Sequence, residues 1–106
     1  MKVGVVVYSD DPETVWNAFR YANFAQALKD EVTVFLLGRG VESDIVGTEK
    51  FNVAEQIECF VLDGGTVYAC GTCLKIHGKE PALGFIVATM NELYEIIRDS
   101  DRVVSF

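Results

Sequence analysis

Basic residues are scarce in this chain of 106 residues. Nine lysines and arginines stand against sixteen aspartates and glutamates, for a net charge of −7. The nine are scattered, whereas a protein that grips a phosphate backbone needs them clustered, so direct nucleic-acid binding is excluded. Cysteine is sparse as well. Three cysteines, an odd number without a secretory signal, do not make a disulfide framework and point to a reducing, cytoplasmic setting. No apolar run approaches the roughly 20 residues that a membrane-crossing helix takes. Met1-Lys2 leads straight into a strand-length segment with no small-residue cleavage site behind it, so no signal peptide is expected. The chain shows no repeat, linker or low-complexity tract.

What is present is a single globular domain, residues 1–106. Half of the residues are hydrophobic, and the length suffices for one core but not two. Val3–Tyr8 is nearly uniformly apolar and β-branched, the pattern of a strand buried on both faces of a parallel sheet. Ser9-Asp10-Asp11-Pro12 ends it with cap candidates and a proline near a first helical position. The spacing predicts a helix from about Glu13 to Lys29, with Val15, Ala18, Ala22 and Ala25 on one stripe. Tyr21, Phe24 and Leu28 widen its apolar arc beyond one sheet contact, which implies a second buried surface such as a subunit interface.

Glu31–Leu37 reads as the second strand, closed by Gly38-Arg39-Gly40, and Val41–Gly47 as a loop or short helical turn. A helix is expected from about Thr48 to Asp63, stopped by Gly64-Gly65, with Cys59 off its apolar stripe and suited to structural or interface burial. Thr66–Ala69 is the third strand. After Gly78 and a break at Pro81, Ala82–Ala88 is apolar, a last helix capped by Thr89 or Asn91 runs through Ser100, and Arg102–Phe106 is a final strand. The alternation gives an α/β domain with a mostly parallel sheet of about five strands. Chemistry in such sheets gathers at the carboxyl ends of the strands.

One segment concentrates the reactive side chains: Val67-Tyr68-Ala69-Cys70-Gly71-Thr72-Cys73-Leu74-Lys75-Ile76-His77-Gly78. A strand delivers Cys70 to its end, Gly71 and Thr72 turn the chain into a short helix, and Gly78 stops that helix. Free N–H groups at a helix start favour the thiolate form of a cysteine placed there. Cys73 at i+3 and His77 at i+7 share a face with Cys70, while Lys75 adds positive charge off that face. Cys70 is therefore expected to be a reactive, partly exposed thiol, with Cys73 as resolving or relay partner. His77 at the helix end reads as a cap or as a proton-transfer group.

Other readings of these residues carry less. Cys70, Cys73 and His77 offer three soft ligands, and structural zinc takes four, so no metal is expected. Asp10 and Asp11 resemble the acidic pocket of receiver domains, but the third strand ends in Cys70 rather than aspartate, and helix capping is their expected role. The first loop is acidic and lacks the glycines that would cradle a flavin phosphate, so no cofactor is expected. Cys-x-x-Cys before a helix is also the thioredoxin motif, which sits early in its fold rather than at residue 70.

The segment Ala69–Lys75 closing at Gly78, the first-strand run, the α/β layout and the ending Asp101–Phe106 together resemble the DsrE/DsrF-like family of small sulfur-relay proteins. That resemblance implies a flavodoxin-like three-layer sandwich and assembly into homo-oligomers, trimers or hexamers, or into hetero-oligomers of related chains. It also implies a sulfurtransferase-type role, in which Cys70 accepts a persulfide sulfur from a donor protein and hands it to an acceptor. Two alternatives stand beside it: a non-catalytic oligomeric scaffold with structural cysteines, and a Cys70/Cys73 thiol redox switch.

Overall fold

A computed structural model describes residues 1–106. The strands are β1 (Lys2–Val7), β2 (Glu31–Leu36), β3 (Thr66–Cys70), β4 (Phe85–Ala88) and β5 (Arg102–Ser105). The helices are α1 (Pro12–Ala27), α2 (Val53–Leu62), α3 (Gly71–Ile76) and α4 (Met90–Asp99), with a 3₁₀ turn at Gly38–Glu42. The five strands form one sheet in the order β4-β3-β2-β1-β5, and every neighbouring pair is parallel. This is the five-stranded parallel α/β sheet expected from the alternation, with the flavodoxin-like layers that the family resemblance implies.

The order of the strands decides where the helices go. The steps from β1 to β2, β3 and β4 all run in one direction, and right-handed crossovers then put their helices on one face. The step from β4 back to β5 runs the other way and leaves α4 alone on the opposite face. Side-chain alternation agrees. Val3, Val5 and Val7 are buried, and α1 packs on β1, whereas a Cβ on Gly4 would lie 2.7 Å from Ile96 of α4. Gly4 is the gap into which Ile96 fits.

Helix α1 begins one residue earlier than its spacing predicts, because Pro12 takes the first position and Asp11 caps it. The Asp11 carboxylate accepts the Thr14 backbone N–H at 3.0 Å. Val15, Ala18, Ala22 and Ala25 are buried as the stripe requires, and Phe19 joins them, meeting Phe60 of α2 edge-on at 6.1 Å. Each such buried side chain contributes about 1.5–3 kcal/mol for the larger apolar residues. Tyr21, Phe24 and Leu28 stay exposed within the chain.

The expected start of α2 at Thr48 is corrected to Val53. Thr48 and Phe51 close a turn on each other, with Thr48 Oγ1 accepting from Phe51 N–H at 3.1 Å, and Asn52 caps the helix through Glu55 N–H at 3.2 Å. Polar side chains that satisfy nearby backbone groups outcompete the helix there. Helix α4 starts with a capping box between Thr89 and Glu92, yet none of its residues is fully buried. Leu93 and Ile96 pack on the core, while Met90, Tyr94 and Ile97 face outward. No helix is long and apolar enough to cross a membrane.

Candidate functional site

Strand β3 lies between β2 and β4, with Val67 and Ala69 buried in the core. Its last residue, Cys70, pairs in register with Ala88 and is also the N-cap residue of α3, in extended conformation at φ −61° and ψ 117°. The chain needs no large residue at the next position, where a Cβ on Gly71 would already sit 3.1 Å from Val87. Helix α3 ends where the sequence places its stop. Gly78 takes a left-handed φ of 59°, its N–H reaches Lys75 O at 3.1 Å, and Lys79 N–H reaches Leu74 O at 2.9 Å. These two bonds are a Schellman closure, which glycine permits without a Cβ penalty.

The structure brings Cys70 and Cys73 together. Their thiols are neighbours across the first turn of α3, close enough for Cys70 to raise the Cys73 pKa, and neither is in a disulfide. Cys70 is only 2% exposed, which corrects the expectation of a partly open thiol. The reason is packing: the strand end that carries it lies in the core cluster with Leu74 and Ala88. Cys73 is the more open of the two sulfurs. Burial lifts its pKa above the ordinary 9.0, and neighbouring Cys70 pushes the same way. Gly38 N–H opposes both. Cys73 is therefore a protonated thiol at neutral pH.

The wall beside the pair is the 3₁₀ turn. Leu37 N–H donates to Val7 O at 2.9 Å, and a Cβ on Gly40 would lie 1.9 Å from the same carbonyl oxygen. Only glycine allows the turn to settle on the end of β1, and Ser43, fully buried, braces it through a 2.6 Å bond to Gly40 O. Two polar side-chain contacts tie this region to α3 and its exit. His77 Nδ1 lies 3.2 Å from Glu42 Oε1, and Lys79 Nζ lies 3.0 Å from Asp44 Oδ2.

Not every residue singled out in the sequence joins the thiols. His77 engages Glu42. Lys75 is exposed and lines a hollow with Leu74, Lys79 and Glu80 that neither cysteine lines. Cys59 is exposed on α2 rather than buried within the chain. Asp11 serves as the cap of α1. No three histidine, cysteine, aspartate or glutamate side chains converge to hold a metal ion. Glu42 and Asp44 carry no motif around them, and their partners stand 35 positions away. Only the glycines of Gly38-Arg39-Gly40 marked this segment in advance.

Comparison with known proteins follows the same lines. The model of the DsrE/DsrF-like family matches residues 1–106. An uncharacterized protein of Methanopyrus kandleri, MK0008, is 34% identical, with 95% of this chain and 91% of that protein covered. An uncharacterized protein of Methanocaldococcus jannaschii, MJ0989, is 35% identical over 89% of this chain and 88% of its own length. Among solved structures, the ychN protein of Escherichia coli superposes with a TM-score of 0.85 at 23% identity, with both chains fully covered. MTH1491 of Methanobacterium thermoautotrophicum, a protein of unknown function, superposes with a TM-score of 0.80 at 14% identity, covering 99% of this chain and 98% of its own. These two likenesses establish the fold.

Proposed function

The chain belongs to the DsrE/DsrF-like family, and on that premise we propose that it is a cytosolic sulfur carrier of sulfurtransferase type, with Cys70 as the residue that holds the sulfur. The observation that carries this reading is the pair of neighbouring free thiols at the carboxyl end of a central parallel strand. The Cys70 sulfur attacks the terminal sulfur of a donor persulfide, forming Cys70–S–SH and releasing the donor as its thiolate. An acceptor thiolate then takes that terminal sulfur, and Cys70 leaves as the thiolate. Cys73, the more open of the two, is the relay thiol on the solvent side.

His77 and Lys75 take supporting roles. His77 holds α3 against the 3₁₀ turn through Glu42, and Lys75 contributes positive charge at the surface that a donor or acceptor protein meets. The exposed Tyr21, Phe24 and Leu28 on α1 support assembly as a homo-oligomer, a trimer or hexamer, through that helix. Incubating the reduced protein with a persulfide donor and measuring its intact mass tests the reading. One added sulfur on wild type or on Cys73→Ser, absent from Cys70→Ser, is expected. No added sulfur on any of them refutes it.

One observation favours a second reading. Cys70 is 2% exposed, and free cysteine packs well as a small apolar residue. In that reading the chain is an oligomeric subunit with structural cysteines. Native Cys70 and Cys73 that resist both persulfide and alkylating reagents, yet react on unfolding, would select it.

A further inference from the structure

The two thiols are placed for a reaction that a carrier with one cysteine cannot perform. Cys73 follows Cys70 by three residues across one helical turn, and its thiol is close enough to the sulfur that would carry the persulfide for Cys70 to shift its pKa. Residues so spaced have Cβ atoms about 5–6 Å apart, and a disulfide needs roughly 3.5–4.5 Å, so a small closing movement at the start of α3 suffices. Burial adds a kinetic bias. With Cys70 at 2% exposure, an acceptor protein must open the site before its thiolate reaches the sulfur, whereas Cys73 already neighbours it across one helical turn. A tethered neighbour in contact competes at an effective concentration in the mM range or above.

We infer that Cys73 resolves the Cys70 persulfide reductively, releasing hydrosulfide and closing a Cys70–Cys73 disulfide, so that the protein acts on persulfides as a dithiol reductase. This rests on the carrier reading for its first step. In that step a low-molecular-weight persulfide, R–S–SH, gives its terminal sulfur to Cys70 and leaves as R–SH. In the second, the Cys73 sulfur attacks the inner sulfur of Cys70–S–SH. The new bond joins the two cysteine sulfurs, the bond to the terminal sulfur breaks, and that sulfur departs with the electron pair as HS⁻. The dithiol loses two electrons and two protons, and the zero-valent sulfur gains the two electrons. Gly38 N–H opposes the rise in the Cys73 pKa, so it favours the thiolate that attacks, whose proton passes to solvent. A second turnover requires a dithiol reductant, such as dithiothreitol or a protein dithiol, to reopen the disulfide.

The test uses the full chain, freshly reduced, with one equivalent of glutathione persulfide and no other reductant. Released sulfide and intact mass are read together. Wild type is expected to release about one sulfide per chain and to end two hydrogens lighter, with the Cys70–Cys73 bridge found by peptide mapping. Cys73→Ser and Cys73→Ala are expected to release at least about ten-fold less in the same interval and to retain one added sulfur on Cys70. Wild type that keeps the added sulfur as the variants do overturns the reductase inference and leaves the carrier reading standing. Equal sulfide release from wild type and both variants also overturns it. No sulfur gained by any form, or glutathione rather than sulfur on Cys70 in the variants, removes the carrier reading and this inference together.

Discussion

The His77 ring turns to Glu42, 3.2 Å away across the space between α3 and the 3₁₀ turn, rather than to either cysteine of its own helix. Both side chains are about a quarter exposed. The pair therefore acts as a modest tie between two segments that flank the thiols. His77→Ala is expected to lower stability by up to about 1 kcal/mol, the scale of a pair near the surface. Persulfide loading of Cys70 should be unchanged within two-fold. Denaturation midpoints and intact mass give both readings. A ten-fold or greater loss of loading would return His77 to the chemistry.

Gly40 against Val7 is the tightest backbone contact of the site. A methyl group there would overlap the Val7 carbonyl oxygen at 1.9 Å, and backbone cannot yield as a side-chain tip does. Gly40→Ala should cost about 1–3 kcal/mol or more, the range of overpacked positions. Urea denaturation would register this as a lower midpoint at unchanged slope. Because the turn walls the thiol pair, its displacement should open Cys73 to solvent, and alkylation of Cys73 should quicken in this variant.

The pKa of Cys73 is raised by burial first and by neighbouring Cys70 second. Its alkylation by iodoacetamide, followed by peptide mass spectrometry, should climb with pH through and beyond the ordinary 9.0. Cys70→Ala removes the second cause and should move the profile to lower pH while burial keeps part of the elevation. The same shift has a consequence for folding. A group whose folded pKa is raised contributes its stability fully below its unfolded pKa and loses it as the pH climbs through the folded value. For this thiol the loss falls in the alkaline range.

Asp11 gives the opposite sign. Hydrogen bonds from Thr14 to its carboxylate hold its pKa below the ordinary 3.8. The capping contribution is therefore present above that value and is lost as the pH falls through the lower, folded one. Asp11→Ala should be less stable than wild type at neutral pH, and the gap should close in strong acid. Thermal melts of both proteins between neutral pH and strong acid check this, and a gap independent of pH would assign the effect to packing.

The outward face of α1 tests the assembly. Phe24 and Leu28 are each about two-thirds exposed in the single chain. Phe24→Glu with Leu28→Glu should convert the proposed homo-oligomer to monomers in sedimentation velocity while the circular dichroism spectrum stays that of the wild type. An unchanged assembly would move the interface to another surface, such as the outward stripe Met90, Tyr94 and Ile97 of α4.

The sequence alone determined the order of elements, the parallel sheet, the stripe that α1 buries, the cap candidates Asp10 or Asp11 and Thr89 or Asn91, and the delivery of Cys70 to a strand end. All of these follow from interactions within a few residues or from a fixed side-chain period, so they are written in local order. Tertiary structure decided the rest. It buried Cys70, left Cys73 the more open thiol, and gave His77 and Lys79 their partners 35 positions away. Which side chain lies beside which across such a distance depends on how loops seat on strand ends. Here that seating hangs on Gly40 meeting Val7, and no period or cap encodes it.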